Sequence, residues 1–235
     1  MLKEGFLKVL NEYQVASKEP IAKHPIATLL RKDIPEYLVS LLENPDEYKV
    51  EGSAGKGRWA KCPWVATIDI NITTTPKRGY YIVYLFRENM NGIYLSLMQG
   101  AAEMKEMHEE HLEKVLKNRA TTYINKIGGV PKMFPETKID LETKSHSELA
   151  SFYEMGNIFA KYYSVKTLNS YTEKQLIEEF RQMIKLYDFL VHSKTTPSLF
   201  TNVEKPVKKT QQKTTEKKQT LFERIKEFIQ KVIRS

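Results

Sequence analysis

From Trp64 the residues alternate with a period of two. Trp64, Ala66, Ile68, Ile70 and Ile72 fall on one side, and Val65, Thr67, Asp69, Asn71 and Thr73 on the other. Successive side chains of an extended chain point to opposite faces, so this run specifies a half-buried strand with Asp69 on its outer face. After the turn TTPKRG comes YYIVYLF, Tyr80 to Phe86, apolar on both faces as a centrally placed strand would be. The loop RENMNG ends in Asn91-Gly92, a hairpin signal, and Ile93 to Met98 returns as the partner strand. Three such strands need other elements to cover them, which limits the chain to a sheet packed by its own helices.

The helices are legible around that sheet. Leu2 to Gln14 sets Phe6, Leu7 and Leu10 on one side. A second stretch covers Pro25 to Leu42 and restarts at Pro35, with Asp33 placed as its cap. The segment ENPDEYKVEGSAGKG between it and the first strand is turn-rich. A long helix is expected over 101–127, with Met104, Met107, His111, Leu112, Val115 and Leu116 on its stripe, ended by Gly128-Gly129 and Pro131. A short strand at 138–141 and a brief helix at 147–152 follow, and GNIFAKYYSV fits strand or helix equally. Ser170-Tyr-Thr-Glu173 resembles a capping box and opens a helix to about His192, with Leu176, Phe180, Ile184, Tyr187 and Leu190 inward.

Composition fixes the surroundings. Cys62 is the sole cysteine, so no internal disulfide can form, and a reducing cytoplasm is the expected location. The N-terminal segment is broken by charges every few residues and reads as an amphipathic helix, not a secretion signal. The net charge of +8 is concentrated at the C-terminal end. Lys205, Lys208, Lys209, Lys213, Lys217 and Lys218 face only Glu216 in that tract, while residues 1–204 are nearly neutral. Residues 194–219, rich in Lys, Thr and Gln, read as a disordered linker. Residues 220–235 read as an amphipathic helix with Leu221, Ile225, Phe228, Ile229 and Val232 on one face.

The stretch GSAGKGRWAKCPW, residues 52 to 64, carries the functional question. It is not a nucleotide-binding P-loop. That motif needs four residues between its glycine and Gly-Lys, then Ser or Thr to reach magnesium, and here Gly57-Arg58 stands in that place. A loop with Gly52, Gly55 and Gly57 lets backbone amides approach a phosphate, and Lys56, Arg58 and Lys61 add charge. Trp59 beside them can stack on an extruded or unpaired base, or pack as a core residue. Trp64 opens the inward face and reads as core. Asp69 can accept from a base amino group or be solvated. Lys77, Arg78 and Tyr80 lie at the next turn, where they would hold the nucleic-acid backbone nearby.

The wider stretch resembles the MrcB-type N-terminal domain family. The resemblance rests on G-S-x-G-x-G-x-W (52–59), P-W-V-A (63–66), the Ile-Thr-Thr of 72–74, G-Y-Y-I-V-Y-L-F (79–86) and Y-L-S-L-x-Q-G (94–100). It is strongest over 52–100 and extends through the helix ending near His192. Such domains commonly precede an AAA+ GTPase or another effector in modification-dependent restriction systems. The resemblance therefore implies a domain that recognises DNA carrying a modified base. It implies no catalytic residues, and no motor or nuclease follows here, so cutting or translocation would come from a separate subunit.

Other chemistry has weaker grounds. His108 and His111 stand three apart on a helix without H-E-x-x-H or a third ligand, and Cys62 has no histidine partner in sequence. No metal or cofactor is expected. The lysine tract offers nonspecific phosphate contacts or is merely solvated. The terminal helix is too short to persist alone and is expected to dock on a protein partner or a second copy, less readily on an anionic membrane. The expected fold is α+β: a small twisted antiparallel sheet or partial barrel packed by several helices over 1–193 (helical lead-in 1–45), with the tethered helix beyond. The expected function is non-catalytic DNA recognition in a restriction or defence system. A protein-interaction adaptor recruiting an effector through the terminal helix is the alternative.

Overall fold

The computed structural model describes residues 1–102, 105, 109–144, 147–192 and 203–204. Met104, Met107 and His108 lie outside these residues. So do the lysines at 205, 208, 209, 213, 217 and 218, and the terminal helix with Leu221, Ile225, Phe228, Ile229 and Val232. Of the expected linker 194–219, only Val203–Glu204 is described.

The fold is α+β. Its centre is an open antiparallel sheet of five strands in the order β1 (Tyr48–Ser53), β2 (Trp64–Asp69), β3 (Tyr80–Phe86), β4 (Gly92–Gln99) and β6 (Asn157–Ser164). The hairpin expected at Asn91-Gly92 is present, with Phe86 opposite Ile93 and Tyr80 opposite Gln99. Two strands were not foreseen as such. Tyr48–Ser53 lies in the stretch that reads as turns, because Lys49 and Glu51 break its apolar pattern. These two residues pair with each other at 2.7 Å on the outer side of an edge strand. The ambiguous GNIFAKYYSV resolves as β6, paired along β4. A second, two-residue pair joins β5 (Val130–Pro131) to β7 (Val203–Glu204).

The half-buried character expected of β2 is corrected: both of its faces are covered. On one face Val65, Ile82, Tyr84, Phe86, Ile93 and Leu95 meet α1 (Leu2–Ala16) and α7 (Glu173–His192). The Phe6 ring packs on Tyr84 at 4.6 Å and on Phe86 at 5.9 Å, and Phe180 stacks on Tyr84 at 6.1 Å. On the other face Ala66, Ile68, Tyr81, Val83 and Leu85 are covered by Ile139, Leu141 and Ala150. Residues 138–141, expected as a strand, run there without strand pairing; the Leu141 carbonyl accepts from Glu88 N–H at 3.0 Å. Ala150 belongs to α5 (Glu148–Gly156), whose N-cap Ser147 accepts from Ala150 N–H. The helix expected over 101–127 is described as α4 (Leu112–Lys126), led by a 3-10 turn at Glu109–His111. A short helix, α6 (Val165–Ser170), links β6 to α7.

Asp69 is corrected too. It is 0% exposed, not on an outer face. Its Oδ1 accepts from Asn71 N–H at 2.7 Å and turns the chain after β2, while Oδ2 has no hydrogen-bond partner among the described residues. The Tyr187 hydroxyl accepts from Asp69 N–H at 3.1 Å and donates to the Tyr80 carbonyl at 2.8 Å, tying α7 across the ends of β2 and β3.

Capping differs from the expected pattern in an instructive way. The box at the start of α7 is Thr172 with Gln175: Gln175 N–H donates to Thr172 Oγ1 at 3.2 Å, and Thr172 N–H to Gln175 Oε1 at 2.8 Å. Glu173 serves another helix, accepting from the N–H groups of Leu2 and Lys3 at 2.6 and 2.9 Å, where a carboxylate complements the N-terminus of α1.

The stretch from Pro25 does not restart on an Asp33 cap. It runs through α2 (Pro25–Thr28), a π turn at Leu29–Asp33 and α3 (Ile34–Val39). Ile34 N–H bonds back five residues to the Leu29 carbonyl. The next bond of that series cannot form, because Pro35 has no N–H to give Leu30. The Leu30 carbonyl lies instead against Gly52 of β1, so close that a Cβ there would sit 1.8 Å from the oxygen.

Two substitutions test this frame. Gly52→Ala is expected to cost at least about 3 kcal/mol, at the upper end of overpacking penalties, measured by urea denaturation. Tyr187→Phe is expected to cost about 1–3 kcal/mol in the same assay by leaving Asp69 N–H and the Tyr80 carbonyl without their shared partner.

Candidate functional site

The loop between β1 and β2 is held from three sides. The Tyr13 hydroxyl of α1 reaches the carbonyls of Ala54 and Ala60 at 3.2 and 2.7 Å, and Ala60 N–H closes on the Ala54 carbonyl at 2.7 Å. Arg31 of the π turn donates to the Gly55 carbonyl at 2.7 Å. The Trp59 indole N–H donates to the Glu19 carbonyl at 2.7 Å, and the ring meets Tyr13 and His24 edge-on, both at 5.1 Å. His24 is fixed in turn by accepting from Ile26 N–H at 3.2 Å and facing Glu19 at 3.4 Å.

Of the three glycines expected to open a path for phosphate, Gly52 is instead a packing requirement. Gly55, at φ +115°, is needed for the turn itself, since a Cβ would lie 2.1 Å from the Arg58 carbonyl. Only the tip is unencumbered: Lys56, Gly57 and Arg58 are exposed, and nothing lies within 4 Å of a Cβ built on Gly57.

Beneath that tip is a cleft of about 550 Å³. Lys56, Arg58, Trp59 and Lys61 line it from the loop, Trp64 from the start of β2, and Ser147, Leu149 and Tyr153 from α5. The loop group expected from sequence thus converges on one hollow, and Trp59 is half-buried, with part of its surface on the cleft. Trp64, assigned to the core on periodicity, is half-buried and shares the wall. Tyr153 shares that wall from α5, and burial pushes its phenol up to about 12. Leu149 is 57% exposed at the rim.

The second expected group does not join. Lys77, Arg78 and Tyr80 sit beyond the other end of β2, five strand steps or roughly 17 Å from the Trp64 end at ~3.3 Å per residue. Lys77 and Arg78 are exposed there, but Tyr80 packs against Tyr123 at 4.8 Å and Tyr187 at 5.6 Å. Asp69, buried at the same far end, cannot reach a base in the cleft.

Cys62 lines the cleft but is buried. Burial pushes its thiol up to about 12, with the Glu88 and Glu154 carboxylates adding to the shift. Among the described residues no three His, Cys, Asp or Glu side chains are grouped to hold a metal, and no helix is long and apolar enough to cross a membrane. Because a raised thiol pKa leaves almost no thiolate at pH 8, native protein should react with DTNB far more slowly than urea-unfolded protein. Equal rates would contradict the placement of Cys62.

These features define an α+β domain with a clamped basic hairpin over an aromatic-walled cleft. The chain belongs to the MrcB-like N-terminal domain family, whose model matches residues 8–192. No curated protein matches it.

Proposed function

We propose that this domain is a non-catalytic DNA-recognition module that holds an extruded, modified base in the cleft between the 54–63 loop and α5. The observation that carries this reading is the convergence of Lys56, Arg58 and Lys61 with Trp59, Trp64 and Tyr153 on one hollow. Extruding a base costs a few kcal/mol, and stacking on an aromatic returns about 1–3 kcal/mol. The cleft volume falls within the range of about 300–1,000 Å³ usual for small-ligand sites. Trp59 is anchored on the Glu19 carbonyl and held edge-on by Tyr13 and His24, so its surface is ordered before a base arrives. The cationic tip projects where phosphates flanking the base would pass.

Membership of the MrcB-like family supports the same reading and favours a restriction or defence setting in the cytoplasm. A separate motor or nuclease subunit would then act on the DNA this domain selects. Burial holds the Cys62 thiol protonated, which argues against that side chain as a nucleophile.

Fluorescence anisotropy with duplexes differing by one modified base tests this. The chain should prefer the modified duplex. Trp64→Ala should remove about tenfold or more of that preference, and deletion of 205–235 should leave it intact. Trp59→Ala should also weaken binding, with thermal denaturation separating this from loss of the Glu19 anchor. No binding to any duplex, or equal binding that vanishes with the tail, would favour the adaptor alternative.

A further inference from the structure

A second hollow, of about 530 Å³, adjoins the first across Trp59, Ala60 and Lys61, which line both. Its far walls carry Lys18, just beyond α1, and Lys144, which precedes α5 in the chain. Both lysines are exposed, and among the described residues neither Nζ has an ion-pair or hydrogen-bond partner. Glu88, the one carboxylate lining this hollow among the described residues, is turned to the protein. It lies 4.0 Å from Lys61 Nζ and accepts from Lys144 N–H at 3.0 Å, with its side chain 17% exposed. Cationic side chains therefore face the opening, while the anion is engaged beneath them. Val15, 64% exposed on the same rim, adds an apolar surface suited to deoxyribose.

We infer that this second hollow is the track for the sugar-phosphate backbone flanking the extruded base, with Lys18 and Lys144 each taking one phosphate. The inference rests on the base-holding reading of the first cleft. Trp59 and Lys61 are then a partition: the base lies on the Trp64 side, and its own strand continues past Lys61 onto the Lys18 side. A strand passing from one hollow to the other meets positive charge at the tip, at the partition and on the far wall. Phosphate contacts of this kind set register and grip but do not read sequence. The folded body would thus supply part of the salt-dependent affinity, independently of the lysines at 205–218.

The test uses the full chain and its Lys18→Ala/Lys144→Ala double variant, with Lys77→Ala/Arg78→Ala at the far end as a control. Binding to modified and unmodified duplexes is measured from 50 to 200 mM salt. Each lost phosphate contact lowers the log–log salt slope by about 0.9 on duplex DNA. The double variant should therefore show a slope shallower by about 1.8, weaker binding to both duplexes, and an unchanged ratio between them. The control should keep the slope of the unsubstituted chain. A retained base preference with an unchanged slope in the Lys18/Lys144 variant overturns this inference alone. Absence of any base preference in the unsubstituted chain overturns the base-holding reading, and the inference with it.

Discussion

The Leu30 carbonyl lies against the backbone of Gly52 because a proline five residues after Leu30 cannot return the hydrogen bond that a π turn would make. That contact seats the helical lead-in directly on the edge strand, with no side chain between them. From the same turn Arg31 reaches the Gly55 carbonyl, and from α1 Tyr13 spans Ala54 and Ala60. The loop that carries the tryptophan and the basic tip is thus positioned by elements outside the sheet. Without this seating, the aromatic wall of the cleft would have no fixed relation to α5, which closes it from the opposite side.

The sheet acts as a two-sided platform. Its first face binds the helices that clamp the loop, and its second face binds Ile139, Leu141 and Ala150, the last of which anchors α5 with Tyr153 beside the cleft. A strand buried on both faces transmits position well, since close-packed interiors are stiff. This is why a site made from residues near 58, 64 and 153 can be ordered before any ligand binds.

Much of the fold was legible because its periodicities are local. The β3–β4 hairpin, the inward face of α1 and the run of α7 to His192 all follow from spacing and turn chemistry. What escaped did so for identifiable reasons. Tyr48–Ser53 is an edge strand whose outward charges mask its pattern. The spacing of Glu173 from Ser170 suggests a box on its own helix, whereas its carboxylate caps α1, a relation no local rule contains. The site was half legible: Lys56, Arg58, Trp59 and Lys61 are neighbours in sequence and in space. Trp64 was hidden by its place in an alternating run, and Tyr153 and Lys144 arrive from distant segments that only packing brings near. Lys77, Arg78 and Tyr80 looked close because they follow the next turn, but a strand's length carries them to the opposite end. Asp69 looked solvent-facing only because its strand was expected to have one bare face.

The hairpin joins two regimes of mutational tolerance within a few residues. At Gly52 and Gly55 an added methyl collides with backbone, whereas a Cβ built on Gly57 meets nothing, and Lys56 and Arg58 project from the surface. Selection can therefore retune the charge and reach of the three-residue apex without disturbing its scaffold. A hairpin built this way can change its outermost chemistry while its skeleton stays the same.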